Sequence, residues 1–203
     1  MDKLVIATNN PGKLGEIAAL LAPLGLAVVA QGELGIAEAE EPHCTFVENA
    51  LAKARHASRL SGLPALADDS GVCVRALGGA PGVHSARYAP GPGSRQRGAR
   101  QFTQQPVVVE PVLGAADRAA HYACVIVLVR HADDPQPLIA EGEWHGEILD
   151  SPRGEGGFGY DPLFLIPALG RTGAELTPQE KNRFSHRGQA LAGLARRLRA
   201  LRG

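Results

Sequence analysis

Leu4-Val5-Ile6-Ala7-Thr8-Asn9-Asn10-Pro11-Gly12-Lys13-Leu14-Gly15-Glu16-Ile17-Ala18-Ala19-Leu20-Leu21 decides the fold class. Residues 4–7 form a short apolar run of strand length. A turn of Thr, Asn, Pro and Gly follows, and then Leu14, Ile17, Ala18, Leu20 and Leu21 repeat at helical spacing. Asn10 suits the N-cap, and Pro11 suits the first helical position, where a missing N–H costs nothing. The same rhythm continues. Residues 26–30 and 64–67 read as strands, and between them Thr45 and Glu48 form a capping box opening a helix to about Ser61, which Gly62 stops. The third strand ends in Asp68-Asp69-Ser70-Gly71, and residues 72–76 read as a fourth. Residues 122–129 and 138–149 read as paired strands around the turn 131–136. Residues 78–93 and 154–162 are glycine-rich loops, Thr177 opens a short helix to about residue 182, and 186–201 is amphipathic. A βαβαβ start with a later hairpin implies an α/β fold with a mixed sheet.

Composition narrows the rest. The chain has 203 residues, 44% of them apolar, which suits one folded domain or two small lobes. Lys plus Arg and Asp plus Glu each total 21, so no basic excess points to nucleic acid. The start lacks a signal-peptide pattern, and no apolar run reaches bilayer length, so a cytoplasmic protein without membrane partners is expected. Three scattered cysteines, Cys44, Cys73 and Cys124, read as buried free thiols.

Four segments could carry chemistry. The turn from Thr8 to Lys13 places a lysine and helix amides where an anion binds, unless it is an ordinary βα turn with a solvated lysine. It lacks the Walker pattern. Asp68-Asp69 ends a buried strand, with Glu38, Glu40 and Glu41 in a nearby loop. Such carboxylates suit Mg²⁺, and the alternative is a turn before Gly71. In Gly156-Gly157-Phe158-Gly159-Tyr160-Asp161-Pro162, two rings in a chain only 4% aromatic either stack a base or pack into the core. Lys181, His186 and Arg187 either contact phosphate or base, or are surface charge and a helix cap.

Taken together, TNNPGKLGEI (8–17), EEPHCTFVENALAKARHA (40–57), LADDSGVCVRALGGAPGVHSARYA (66–89), GGFGYDPLF (156–164) and AELTPQEKNRFSHRGQAL (174–191) resemble the inosine-triphosphate, or non-canonical purine NTP, pyrophosphatase family. They occur in the family's order and at similar spacing. The resemblance implies a two-lobed α/β sandwich with a long central sheet flanked by helices and an active-site cleft between lobes. It also implies a homodimer, and conversion of ITP, dITP and XTP to monophosphate and pyrophosphate. Asp69 is the implied catalytic carboxylate, activating a water, and Glu40, Glu41, Asp68 and Asp69 are the implied Mg²⁺ set. The implied substrate contacts are Thr8, Asn9, Asn10, Pro11, Gly12, Lys13, Ser70, Phe158, Gly159, Tyr160, Asp161, Lys181, His186 and Arg187. Rival readings are a pyrophosphatase for other modified nucleotides and a nucleotide-binding regulator without turnover.

Residues 91–120 depart from that family, which carries an amphipathic helix there. This chain has Gly91-Pro92-Gly93-Ser94-Arg95-Gln96-Arg97 and later Pro106-Val107-Val108-Val109-Glu110-Pro111, with no helical period. GC-rich codons for 95–102, shifted by one base, spell Asp-Ser-Ala-Ala-Arg-Ala-Asn. The hypothesis that the stretch is read out of frame dies if neither shifted frame of the coding DNA yields an amphipathic helix.

Overall fold

A computed structural model describes residues 3–88 and 117–200. The unusual stretch 91–120 therefore lies outside the described residues up to 116. Its last residues are anchored: Arg118 donates through Nε to the Ile148 carbonyl at 2.5 Å and pairs with Asp150 at 2.6 Å.

Seven strands form one mixed sheet in the order β2-β1-β3-β4-β5-β6-β7. They are β1 (Lys3–Ile6), β2 (Ala27–Ala30), β3 (Ala65–Val74), β4 (Ala119–Val129), β5 (Leu138–Ile148), β6 (Phe164–Ile166) and β7 (Arg171–Thr172). β1 runs parallel to both β2 and β3, while β6 is antiparallel to β5 and to β7. The helices among the described residues are α1 (Pro11–Leu21), α2 (Phe46–Ser61), α3 (Pro178–Phe184) and α4 (His186–Ala200). None is long and apolar enough to cross a membrane.

The caps explain the helix starts. Asn10 Oδ1 accepts from the amides of Gly12 and Lys13 at 2.9 and 3.2 Å, with Pro11 leading the first turn. Thr45 accepts from the Glu48 amide at 3.4 Å, but the Glu48 carboxylate takes the Thr45 hydroxyl rather than a backbone N–H. The reciprocal box expected there is thus only half made. A complete one is at Thr177 and Glu180, opening α3. Gly62 closes α2 at φ 70°, a conformation that favours glycine.

The chain divides into two compact units. The first comprises Met1–Asp69, Cys124–Gly142 and His186–Gly203, and the second Ser70–Ala123 and Glu143–Ser185. In the first, the sheet is buried on both faces. Leu4, Ile6, Leu66, Ile126 and Leu128 pack with Ile17 and Leu21 of α1 and Leu191, Leu194 and Leu198 of α4. Val5, Ala7, Ala65, Ala67, Val125, Val127 and Val129 pack with Ala50, Ala54 and Ala57 of α2. Continuous apolar runs follow from that double burial. In the second unit the strands alternate, with Trp144, Gly146 and Ile148 inward and Glu143, His145 and Glu147 outward on β5. Its core gathers Val72, Val74, Tyr122, Trp144, Tyr160, Leu163 and Phe164. β4 records the change within one strand: residues 119–123 alternate in burial, and 124–129 are buried throughout.

Two expectations need correction. Residues 64–67 and 72–76 belong to one strand, β3, so Asp68 and Asp69 lie mid-strand rather than at a strand end. Gly71 makes no turn. A Cβ there would sit 2.2 Å from the Gly82 carbonyl oxygen and 2.5 Å from Ser85 Oγ, so glycine permits a close approach to a continuing strand. The cysteines are free but not uniformly buried. Cys124 is buried and Cys73 half-buried, while Cys44 is exposed just before the α2 cap.

Candidate functional site

Asp68 and Asp69 share the charged centre of the first unit. Burying two adjacent carboxylates is costly unless cations meet them, and three do. Asp68 Oδ2 takes Lys13 Nζ at 3.1 Å and Arg187 Nη2 and Nε at 3.0 and 3.2 Å. Asp69 Oδ1 takes Lys53 Nζ at 2.9 Å, and its Oδ2 accepts from Asn49 Nδ2 at 3.3 Å. Lys53 also reaches Glu41 Oε1 at 2.7 Å, and Arg187 also pairs with Glu16. Lys13 is placed by the Asn10 cap, Asp68 and Asp69 by β3, and Lys53 by α2 one helical turn after Asn49. Arg187 is the second residue of α4.

The two carboxyls differ electrically. Burial pushes Asp68 up, but the attraction of Lys13, Arg187 and Lys53 outweighs it and holds the group well below the usual carboxylate range. For Asp69, burial wins over Lys53 and Lys13, and the nearby Glu41 adds to it, so its pKa is raised. Lys53 is also raised. Burial lowers it, and Asp69, Asp68 and Glu41 more than reverse that. Asp68 thus stays ionised, and Asp69 is the carboxylate readier to take a proton.

The second unit carries a smaller arrangement. Asp161 Oδ2 accepts from Lys181 Nζ at 2.7 Å and from the Phe158 amide at 2.6 Å. Gly157 has φ 70°, and a Cβ on it would lie 2.2 Å from that same oxygen. Glycine here is required for the loop to close on the carboxylate. Lys181 Nζ also sits 4.2 Å from the centre of the Phe158 ring, which is half-buried.

Several sequence-derived residues take different parts. Tyr160 is 3% exposed, its ring lies in the core, and its hydroxyl donates to the Ser85 carbonyl at 3.0 Å, so it is not a stacking surface. Arg187 is 1% exposed, with donors turned to Asp68 and Glu16, and is thus neither surface charge nor open to a base edge. His186 is buried beside it. Glu40 is exposed, and the charged contact from its loop comes from Glu41. Thr8 Oγ1 accepts from the Asn10 amide at 3.2 Å, while Asn9, Pro11 and Gly12 are exposed and Ser70 is half-buried on β3. Gly159 adopts φ 65° in the 156–162 loop.

Sequence reading missed Lys53, Asn49 and Glu16. A signal existed for the first two. Positions 49 and 53 adjoin the Ala50, Ala54 and Ala57 stripe that faces the sheet, so polar residues there point inward. Asn49 also ties the acidic loop to α2, exchanging bonds with the His43 backbone at 3.1 Å in both directions.

An α/β protein whose first unit gathers Lys13, Lys53 and Arg187 around two buried carboxylates with shifted pKa values has the kind of charged centre found at enzyme active sites. Comparison narrows the class: residues 4–197 match the model of the Ham1 family, and the chain belongs to that family. It is 68% identical over 199 residues to a dITP/XTP pyrophosphatase of Ralstonia nicotianae, covering 98% of both chains. A solved HAM1 protein from Coxiella burnetii matches at 48% identity and a TM-score of 0.88, covering 98% of this chain and all of that one. The Ham1 protein of Staphylococcus aureus matches at 34% identity and 0.84, covering 98% and 99%.

Proposed function

We propose that the chain hydrolyses non-canonical purine nucleoside triphosphates, ITP, dITP and XTP, to the monophosphate and pyrophosphate. The observation that carries this reading is Asp69, held between Lys53 and Asn49 with its pKa raised, in a chain whose relatives are named dITP/XTP pyrophosphatase. Asp69 accepts a proton from water as the water oxygen bonds to the α-phosphorus. The bond from that phosphorus to the bridging oxygen breaks, and pyrophosphate leaves. Lys13 and Lys53 bind phosphate oxygens, helped by Thr8, Asn9, Asn10, Pro11, Gly12 and Ser70.

Among the described residues no three His, Cys, Asp or Glu side chains form a ready-made metal cage. The donor set still fits a hard cation such as Mg²⁺, which uses one or two carboxylates with water and substrate phosphates. Glu41 and Asp69 already converge on one positive charge, the Lys53 ammonium. Asp69, Glu41 and Asp68, with Glu40 from the same loop, would hold the ion. Bound there, it supplies neutralisation of phosphate charge.

Phe158 stacks the base, and Asp161 with Lys181 fixes the loop that presents it. His186 and Arg187 act on base choice by fixing the start of α4. Donors meeting the 6-oxo group are left unpaired by adenine, a mismatch worth roughly 10⁴-fold. The chain works as a cytoplasmic homodimer, a reading that light scattering tests. For the activity, ITP, dITP, XTP, dTTP, ATP and GTP are incubated with MgCl₂ and pyrophosphate is measured. Release from the first three alone is expected. Orthophosphate as the direct product, or ITP binding without turnover, overturns the reading.

A further inference from the structure

Two imidazoles meet on the outward side of β4 and β5 in the second unit, among residues the proposed reaction does not use. The core dictates their meeting. Side chains alternate along a strand, so a contact between inward residues fixes which outward residues are neighbours. Inside, the Tyr122 and Trp144 rings stack with centroids 6.4 Å apart, and Phe164 packs against both, at 4.8 and 5.4 Å. Outside, His121 and His145, the adjacent residues on the same two strands, lie with ring centroids 5.6 Å apart, tilted by 39°. The pair is held by strands locked through three buried aromatics, not by a loop.

We propose that His121 and His145 form a binding site for one divalent transition-metal ion of the zinc, copper or nickel type. Imidazole nitrogens suit these ions. With metal–nitrogen bonds of about 2.0–2.1 Å, two rings on one ion have centroids roughly 5 Å apart, close to the observed separation. Glu143, two residues before His145 on the same face, places Oε2 3.2 Å from His145 Nε2. With Nε2–H donating to that carboxylate, Nδ1 carries the lone pair and is the ligating nitrogen. Such an outer carboxylate orients a metal-bound imidazole and raises its basicity. The His145 side chain is 75% exposed, so an ion reaches it directly, and water fills the remaining positions. The site differs from the Asp68–Asp69 centre in ligand type, and so in the ions it selects.

The test is calorimetric titration of the full chain with zinc chloride in excess MgCl₂, alongside His121→Gln, His145→Gln and Glu143→Gln. None of these residues has a part in the proposed reaction, so pyrophosphatase activity serves as the check on folding. Expected are one zinc ion per wild-type chain, at least tenfold weaker binding in either histidine variant, and about 10–100-fold weaker binding in Glu143→Gln. Copper(II) bound by the wild type shows two nitrogen ligands in its paramagnetic resonance spectrum, and fewer in either histidine variant. Zinc affinity unchanged in both histidine variants, or no zinc binding by active wild-type protein, overturns the proposal.

Discussion

Asp68 and Asp161 are both 2% exposed, yet they are neutralised in opposite ways. Asp68 sits on a strand and is met by cations from elsewhere in the chain, Arg187 being 119 residues away. Asp161 sits in a loop and is met by an amide three residues back and a lysine 20 residues on. The first arrangement concentrates charge from α1, α2, β3 and α4. The second uses charge to hold the shape of one glycine-rich loop.

The largest effect should come from the carboxylate beside Asp68. Asp69→Asn keeps the shape and the Asn49 contact but cannot accept a proton, so kcat should fall about 10²–10⁴-fold. The thermal midpoint should stay close to wild type, because the cost of burying an ionised carboxylate disappears along with the Lys53 pair. Retained turnover would remove Asp69 from its role.

Next comes stability, where the two aspartates can be set against each other. Asp68→Ala strips Lys13 and Arg187 of their shared partner and should cost about 3–5 kcal/mol. Hydrogen exchange should then rise together in β3, α1 and α4. Asp161→Ala should cost no more and should loosen only the 156–162 loop and α3. Equal spread of exchange in both variants would erase the distinction. The acid response has a definite sign. Asp68 is depressed in the folded chain, so its contribution is present above the ordinary carboxylate value of 3.8 and is lost as pH falls toward the folded value. In Asp68→Ala that part of the acid limb of stability should be missing.

How legible these arrangements were depends on the range of the interactions. Local signals carried the fold. The Asn10 cap and the Gly62 stop are both written within a few positions. At 156–162 the glycine-rich loop was legible, but the bonds from the Phe158 amide and Lys181 to Asp161 were not. The β3 break was misread because Asp-Asp-Ser-Gly is turn chemistry locally. Only Lys13, Lys53 and Arg187, brought in from other elements, make it strand. Arg187 was misplaced for the same reason: nothing near position 187 shows that Glu16 and Asp68 enclose it. Glu16 left no local trace at all.

A smaller effect tests the loop. Phe158→Leu keeps apolar bulk and removes the ring face, and base–aromatic stacking is worth about 1–3 kcal/mol. KM for ITP should rise accordingly while kcat holds. A fall in kcat with KM unchanged would move Phe158 from binding to chemistry.

The finest test is electrical and separates the two regions by pH alone. Lys53 pulls the Asp69 pKa down against burial, so removing that charge must raise it further. In Lys53→Gln the acid limb of kcat/KM, which reports the free enzyme's base, should therefore move to higher pH, whatever the loss in maximal rate. Lys181→Gln removes an equal charge, but one bonded to Asp161 rather than Asp69, so the limb should stay in place. A limb that moves in both variants would mean that the proton acceptor senses the loop's lysine as strongly as its own. A limb that moves in neither would mean that Asp69 is not the group being titrated.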